Sequence, residues 1–121
     1  MSLPLTPEMI EAAYEFLKTT PPFSRWKLPE GDDIEFNVGA ATDEFANYKW
    51  ERDHHRITIS IKAVGHTETL IKYLAHEIIH LHLEATGQES KKGGPNCHNA
   101  AFRKFAAQVC KHHGFDPKAF Y

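Results

Sequence analysis

The spacing of apolar residues changes along the chain from a helical period to a period of two, and then back to a helical period. In the first stretch, apolar residues recur every three or four positions: Met9, Ile10, Ala13, Phe16 and Leu17. This spacing predicts a helix over residues 7–19, with Thr6 as its N-cap and Pro7 in its first turn. Pro21 and Pro22 end the helix, because proline cannot continue one.

In the middle of the chain, β-branched and aromatic residues alternate with polar ones, which is typical of strands. Three such segments cover residues 33–38, 44–51 and 56–61. The connections between them are short enough for hairpins, so we expect a three-stranded antiparallel meander. His54 and His55 lie in the second connection and are therefore expected to be solvent-exposed turn residues.

The strongest helical pattern covers residues 67–86 and ends at Gly87, which suits the left-handed position after a helix. A last helix is predicted over residues 96–113, with Gly114 as its stop. The polar residues 88–95 between them are expected to form a mobile rim. These elements predict an α+β fold in a single domain over residues 1–121.

Composition narrows the class of protein and the kind of metal site. Hydrophobic residues make up 41% of the chain and charged residues 25%, which is typical of a soluble globular domain. There is no apolar run long enough to span a bilayer and no secretory signal, so we expect a cytoplasmic protein without membrane association. Cys97 and Cys110 are interpreted as reduced thiols, so metal binding depends mainly on histidine.

Charge is distributed unevenly along the chain. Residues 1–86 contain 8 Lys and Arg against 14 Asp and Glu, whereas residues 87–121 contain 6 against 2. The basic end is explained either as a solvated helix face or as a weak attraction for an acidic partner such as nucleic acid.

Residues 75–82, Ala-His-Glu-Ile-Ile-His-Leu-His, place three histidines and one glutamate in a single stretch of the predicted helix. At about 100° of rotation per residue, His76 and His80 project from the same face one turn apart, so both can bind one ion. Glu77 can reach a water molecule at the open position of that ion. The spacing His-Glu-x-x-His is typical of zinc hydrolases in which the glutamate is the general base.

Other potential ligands on this helix are excluded by their directions. His82 lies roughly 160° from His80 and is predicted to face the far side of the helix. Glu84 is on the side of His80, but three ligands on consecutive turns cannot converge tetrahedrally on one ion. Leu83 and Thr86 stand where the extended motif His-Glu-x-x-His-x-x-Gly-x-x-His requires glycine and histidine, which excludes that group of metalloproteases.

A catalytic zinc ion usually has three protein ligands, so a third donor must come from another segment. His98 is the natural donor, because the loop before it is long enough to fold the last helix back against the first ligand pair. Phe102 follows one turn later, where packing would fix the imidazole. Cys97 is the competing donor, because thiolates bind zinc well. His112 and His113 are interpreted as partners of the C-terminal helix dipole.

With these motifs the chain resembles the SprT-like zinc metallopeptidases, the family that includes the protease domain of Spartan. The resemblance covers most of the chain: a leading helix, a short sheet, the helix containing His76-Glu77-Ile78-Ile79-His80, and the segment His98-Asn-Ala-Ala-Phe102 follow the family's order. It implies a minimal zincin-like fold, one Zn²⁺ ion bound by His76, His80 and His98, and Glu77 as the catalytic acid and base. Asn99 stands where family members often have glycine.

The resemblance also implies a function, which is the hydrolysis of peptide bonds in a protein or peptide substrate by a metal-activated water. We expect a monomer, with association with DNA through the basic end as a further expectation. Tyr73 precedes His76 by one turn and is interpreted as packing at the edge of the cleft, with oxyanion stabilisation as its alternative role. Two other functions stay open: a non-catalytic zinc-stabilised module that binds a protein or nucleic acid, and a metal-dependent nuclease.

Overall fold

Helices and strands segregate along the chain in the computed structural model, which describes residues 5–40, 44–61, 67–89 and 98–120. The helices are α1 (Pro7–Lys18), α2 (Thr67–Ala85), α3 (Ala100–His113) and the short α4 (Pro117–Phe120), and the strands are β1 (Ile34–Gly39), β2 (Ala46–Glu51) and β3 (His54–Ser60). The predicted α+β class is confirmed. No helix among these residues is long and apolar enough to cross a membrane.

The ends of the helices follow the predicted capping residues. The Thr6 hydroxyl accepts a hydrogen bond from the backbone N–H of Met9 at 3.2 Å, which caps α1. Gly114 adopts a left-handed conformation with φ 75° and ends α3. At the start of α3 the prediction was four residues early, because Asn99 is the N-cap and its side-chain oxygen accepts the N–H of Phe102 at 2.9 Å. This cap explains the asparagine at this position.

The predicted antiparallel meander is wrong. The strand order is β1-β3-β2, with β1 parallel to β3 and β2 antiparallel to β3. Arg52 and Asp53, both with positive φ, make the tight turn between β2 and β3. Ile57 and Ile59 of β3 are fully buried, which suits the central position of that strand. Alternation assigns side chains to the two faces of a sheet, but it does not determine which strands are neighbours.

The prediction that His54 and His55 are exposed turn residues is wrong. They are the first residues of β3, where both are half-buried. His54 Nε2 lies 2.9 Å from Glu35 Oε1 on β1. On the opposite face of the sheet, His55 Nδ1 lies 2.7 Å from the Tyr48 hydroxyl, and burial lowers the pKa of His55. The turn itself needs only the two residues before them.

The helix α2 is the centre of the core. It contacts β2 and β3 on one side and α1, α3 and α4 on the others. Its buried apolar side chains therefore surround the helix: Leu70, Leu74, Ala75, Ile78, Ile79, Leu81 and Leu83. A helix packed on all sides holds any functional group on it in a fixed position.

Candidate metal centre

Three histidine side chains converge between α2 and the turn before α3. His76 and His80 come from consecutive turns of α2, and His98 comes from the residue before the Asn99 cap. Each offers one ring nitrogen, and the three nitrogens lie within 4.8 Å of one another. The structure thus brings together the three residues that the sequence pattern singled out, in a group that could hold a metal ion.

The dimensions of the group fit a small tetrahedral cation. Zinc binds imidazole nitrogens at about 2.0–2.1 Å, so three tetrahedral ligands lie roughly 3.4 Å from one another. The nitrogens of this cluster, all within 4.8 Å of one another, reach such an arrangement by side-chain shifts of about an ångström. Imidazole nitrogens suit zinc and other transition ions better than calcium or magnesium, which prefer oxygen ligands.

His76 is held in the protonation state and tautomer that a metal ligand needs. Its Nδ1 lies 3.1 Å from the carbonyl oxygen of Phe120. A carbonyl only accepts hydrogen bonds, so Nδ1 carries the proton and Nε2 keeps its lone pair. Burial lowers the pKa of His76 to about 3, and the nearby His80 is the second largest cause of this shift. The imidazole is therefore neutral at physiological pH.

His80 has a comparable partner on its other ring nitrogen. Its Nδ1 lies 2.9 Å from Glu89 Oε2, and both side chains are largely buried. Neither Glu89 nor Phe120 was identified in the sequence analysis. Glu89 is an acidic residue two positions after Gly87, the glycine that ends the ligand-bearing helix. This position in the sequence was the signal that could have identified it.

His98 is positioned by the aromatic residue predicted to pack against it. Its ring stacks on Phe102 with a centroid distance of 4.3 Å and an interplanar angle of 21°. Burial lowers its pKa, which favours the neutral imidazole. The competing donor, Cys97, and most of the predicted mobile rim lie outside the described residues.

The histidines that were excluded as ligands lie elsewhere. His82 is on the far side of α2, where its ring stacks on Trp26 at 4.5 Å. At the end of α3, His112 is exposed, while His113 Nε2 lies 3.0 Å from the Thr20 hydroxyl. The directions predicted from helical geometry are confirmed for His82, and His113 joins α3 to the end of α1.

Glu77 is a buried carboxyl group next to the histidine cluster. It is only 5% exposed. Burial raises its pKa to about 8, and the charges of Glu44 and Glu89 add to this effect. A carboxyl group with a pKa near neutrality can both accept and donate a proton at physiological pH. A bound cation would favour its ionised form.

Tyr73, one turn before His76 on α2, packs against the residue that precedes β2. Its ring stacks on Phe45, which directly precedes β2, with centroids 4.3 Å apart and an interplanar angle of 8°. The ammonium group of Lys72 lies 4.8 Å from the centroid of the same ring. This environment agrees with a packing role for the Tyr73 ring.

The shifted pKa values of His76 and Glu77 predict how the stability of the metal-free protein depends on pH. The folded-state pKa of His76, about 3, lies below its ordinary value of 6.5, so stability falls as the pH drops below about 6.5. The folded-state pKa of Glu77, about 8, lies above its ordinary value of 4.5, so stability also falls as the pH rises from about 4.5 to 8. We therefore expect maximal stability between about pH 4.5 and 6.5.

A substitution can test whether Glu77 causes the loss of stability at alkaline pH. With a chelator present, Glu77→Gln should unfold at higher urea concentration than wild type at pH 8, by roughly 2 kcal/mol or more in the free energy of unfolding. The two proteins should converge below about pH 3.5, where the carboxyl is protonated in both the folded and the unfolded state. Equal stability of the two proteins at pH 8 would contradict the assignment.

Comparison with known proteins finds a family whose sequence model covers the site. The sequence model of the SprT-like family matches residues 13–119. The match covers nearly the whole chain and includes all three histidines and Glu77. No curated protein matches the chain.

Proposed function

We propose that this chain, which belongs to the SprT-like family, is a zinc-dependent peptidase. Its ion would be bound by His76, His80 and His98. The observation that carries the proposal is the convergence of three histidine nitrogens beside the buried carboxyl of Glu77. A purely structural zinc site has no need of a general base. The zincin-like character of the fold stays a prediction that accompanies this proposal.

Each residue has a distinct task in the proposed reaction. When bound, the ion would act as a Lewis acid that polarises the peptide carbonyl and makes a neighbouring water more acidic. Glu77 accepts the proton of the attacking water as the new carbon–oxygen bond forms. It then donates this proton to the leaving amine as the carbon–nitrogen bond breaks. The raised pKa of Glu77 suits a group that must perform both transfers.

An extended segment of a protein is the proposed substrate. Within the described residues, β2 is an edge strand and also contacts α2. An edge strand offers unpaired backbone groups to an added strand. Phe45 and Trp50, which lie at the two ends of β2, are each nearly half exposed and would provide apolar contacts for side chains. Association with DNA through the basic end is a second, separate proposal.

Fluorescein-labelled casein, used as an unstructured probe, tests the proposal. We expect zinc-loaded protein to release labelled peptides, a chelator to stop the reaction, and added zinc to restore it. Running the reaction in ¹⁸O-water should place ¹⁸O at the new C-termini, which identifies hydrolysis. Parallel reactions should contain single-stranded DNA, double-stranded DNA or no DNA. Zinc-loaded protein that cleaves nothing under all three conditions would instead favour a non-catalytic zinc module.

A further inference from the structure

We infer that Glu89 is a positioning residue of the metal centre, which holds the His80 imidazole so that its Nε2 faces the ion. This inference rests on the proposed function, since it assumes that His80 is a metal ligand. Glu89 itself is not assigned a ligand role, because its carboxylate lies at the opposite ring nitrogen, Nδ1.

The hydrogen bond determines the tautomer of His80. The Nδ1–Oε2 distance is 2.9 Å, and the side chains of His80 and Glu89 are 8% and 15% exposed. A carboxylate can only accept, so Nδ1 must donate, and the neutral imidazole then has its lone pair on Nε2. Ligand histidines commonly donate their second N–H to a carboxylate in this way, which orients the ring and increases its basicity.

The chain positions Glu89 by a well-defined turn at the end of α2. The Gln88 N–H donates to the Leu83 carbonyl at 2.7 Å, and the Gly87 N–H donates to the Glu84 carbonyl at 3.2 Å. With Gly87 at φ 74°, these two bonds form a Schellman motif. The chain therefore leaves α2 in a defined direction, which positions Glu89 two residues after Gly87.

A second bond connects this turn to the segment that carries His98. The side-chain amide of Asn99 donates to the Gln88 carbonyl at 2.9 Å, while the oxygen of the same amide caps α3. Asn99, which follows His98, is thus bonded to Gln88, which precedes Glu89. This bond links the turn that carries Glu89 to the segment that carries His98.

The charge of Glu89 provides a second effect on the same centre. Its carboxylate interacts electrostatically with both His98 and Glu77. A negative charge behind the ligands favours a bound cation, and a low-dielectric site strengthens the attraction. We therefore expect the charge of Glu89, and not only its hydrogen bond, to contribute to metal affinity.

Two substitutions separate the hydrogen bond from the charge. Glu89→Gln keeps the length and an acceptor oxygen but removes the charge, whereas Glu89→Ala removes both. In competition with a chelator of known affinity, Glu89→Ala should weaken zinc binding about 10–100-fold, and Glu89→Gln should fall between it and wild type. Glu84→Gln, which changes a nearby glutamate that forms no hydrogen bond or ion pair with His76 or His80 among the described residues, is the matched control and should bind zinc within about twofold of wild type.

The tautomer of His80 gives a readout that a merely structural role would not change. In long-range ¹H–¹⁵N spectra of the metal-free protein, His80 should show the Nδ1–H form in wild type and in Glu84→Gln, and a mixture of both forms in Glu89→Ala. Unchanged zinc affinity in Glu89→Ala, or weakened affinity with an unchanged tautomer, would overturn the inference. Wild-type protein that binds no zinc would overturn the proposed function as well, whereas zinc binding without proteolysis would overturn the peptidase proposal alone.

Discussion

Glu77→Gln is expected to lower kcat/KM for casein hydrolysis by about 10²–10⁴, the usual contribution of a positioned general acid or base. Glutamine has the size of glutamate but cannot accept the proton of the attacking water. Zinc should remain bound at one ion per chain, because no histidine is altered. Because the buried position favours a neutral group, the variant should also fold at least as well as wild type, so lost activity reports on chemistry.

The matched control for this prediction is Glu84→Gln on the same helix. Glu84 lies two turns beyond Glu77, and the activity of the Glu84→Gln variant should stay within about twofold of wild type. Elemental analysis of the zinc content must accompany the kinetics, because loss of the ion would also abolish turnover. A Glu77→Gln variant that retains zinc and cleaves casein at the wild-type rate would reject Glu77 as the general base.

The arrangement of His76, Glu77 and His80 was predictable because it depends on the geometry of one element. The helical period alone puts the two histidines on one face and His82 on another. The structure agrees, since His82 stacks on Trp26 away from the cluster. No information about the rest of the fold was needed for this part of the site.

Bringing His98 to the cluster required a tertiary contact, and the sequence predicted it by elimination among donors, by loop length and by the family resemblance. Its packing partner, Phe102, was predicted from a helix that included His98, and the contact forms although α3 begins only at Ala100. The stacking of the two rings confirms this contact.

The groups that support the ligands could not be predicted in the same way. Glu89 reaches His80 through a turn after α2, and the Phe120 carbonyl reaches His76 from a short helix near the end of the chain. Backbone carbonyls have no sequence signature, and α4 is too short to give a periodic pattern. The order of the strands was missed for a related reason, because side-chain alternation does not encode which strands pair.

His98→Ala should weaken zinc binding by more than 100-fold. Losing a hydrogen-bond partner behind a ligand typically costs 10–100-fold in affinity, and losing the ligand itself should cost more. The metal-dependent stabilisation should fall with the affinity. At a free zinc concentration about 100 times the wild-type Kd, zinc stabilises the wild type by about 2.7 kcal/mol, and a 100-fold increase in Kd removes most of that gain. Chelator competition and urea unfolding at fixed free zinc measure the two effects.

His112→Ala is the matched control for His98→Ala, because it removes an exposed histidine from the far end of α3 and should leave zinc affinity unchanged. Cys97→Ser tests the competing donor. If His98 is the ligand, only His98→Ala loses zinc, and its metal-free stability should resemble that of wild type because the ring is half-buried at the edge of the core. The reverse pattern, with zinc lost in Cys97→Ser and retained in His98→Ala, would move the third ligand to the thiolate and leave His98 as a packing residue against Phe102.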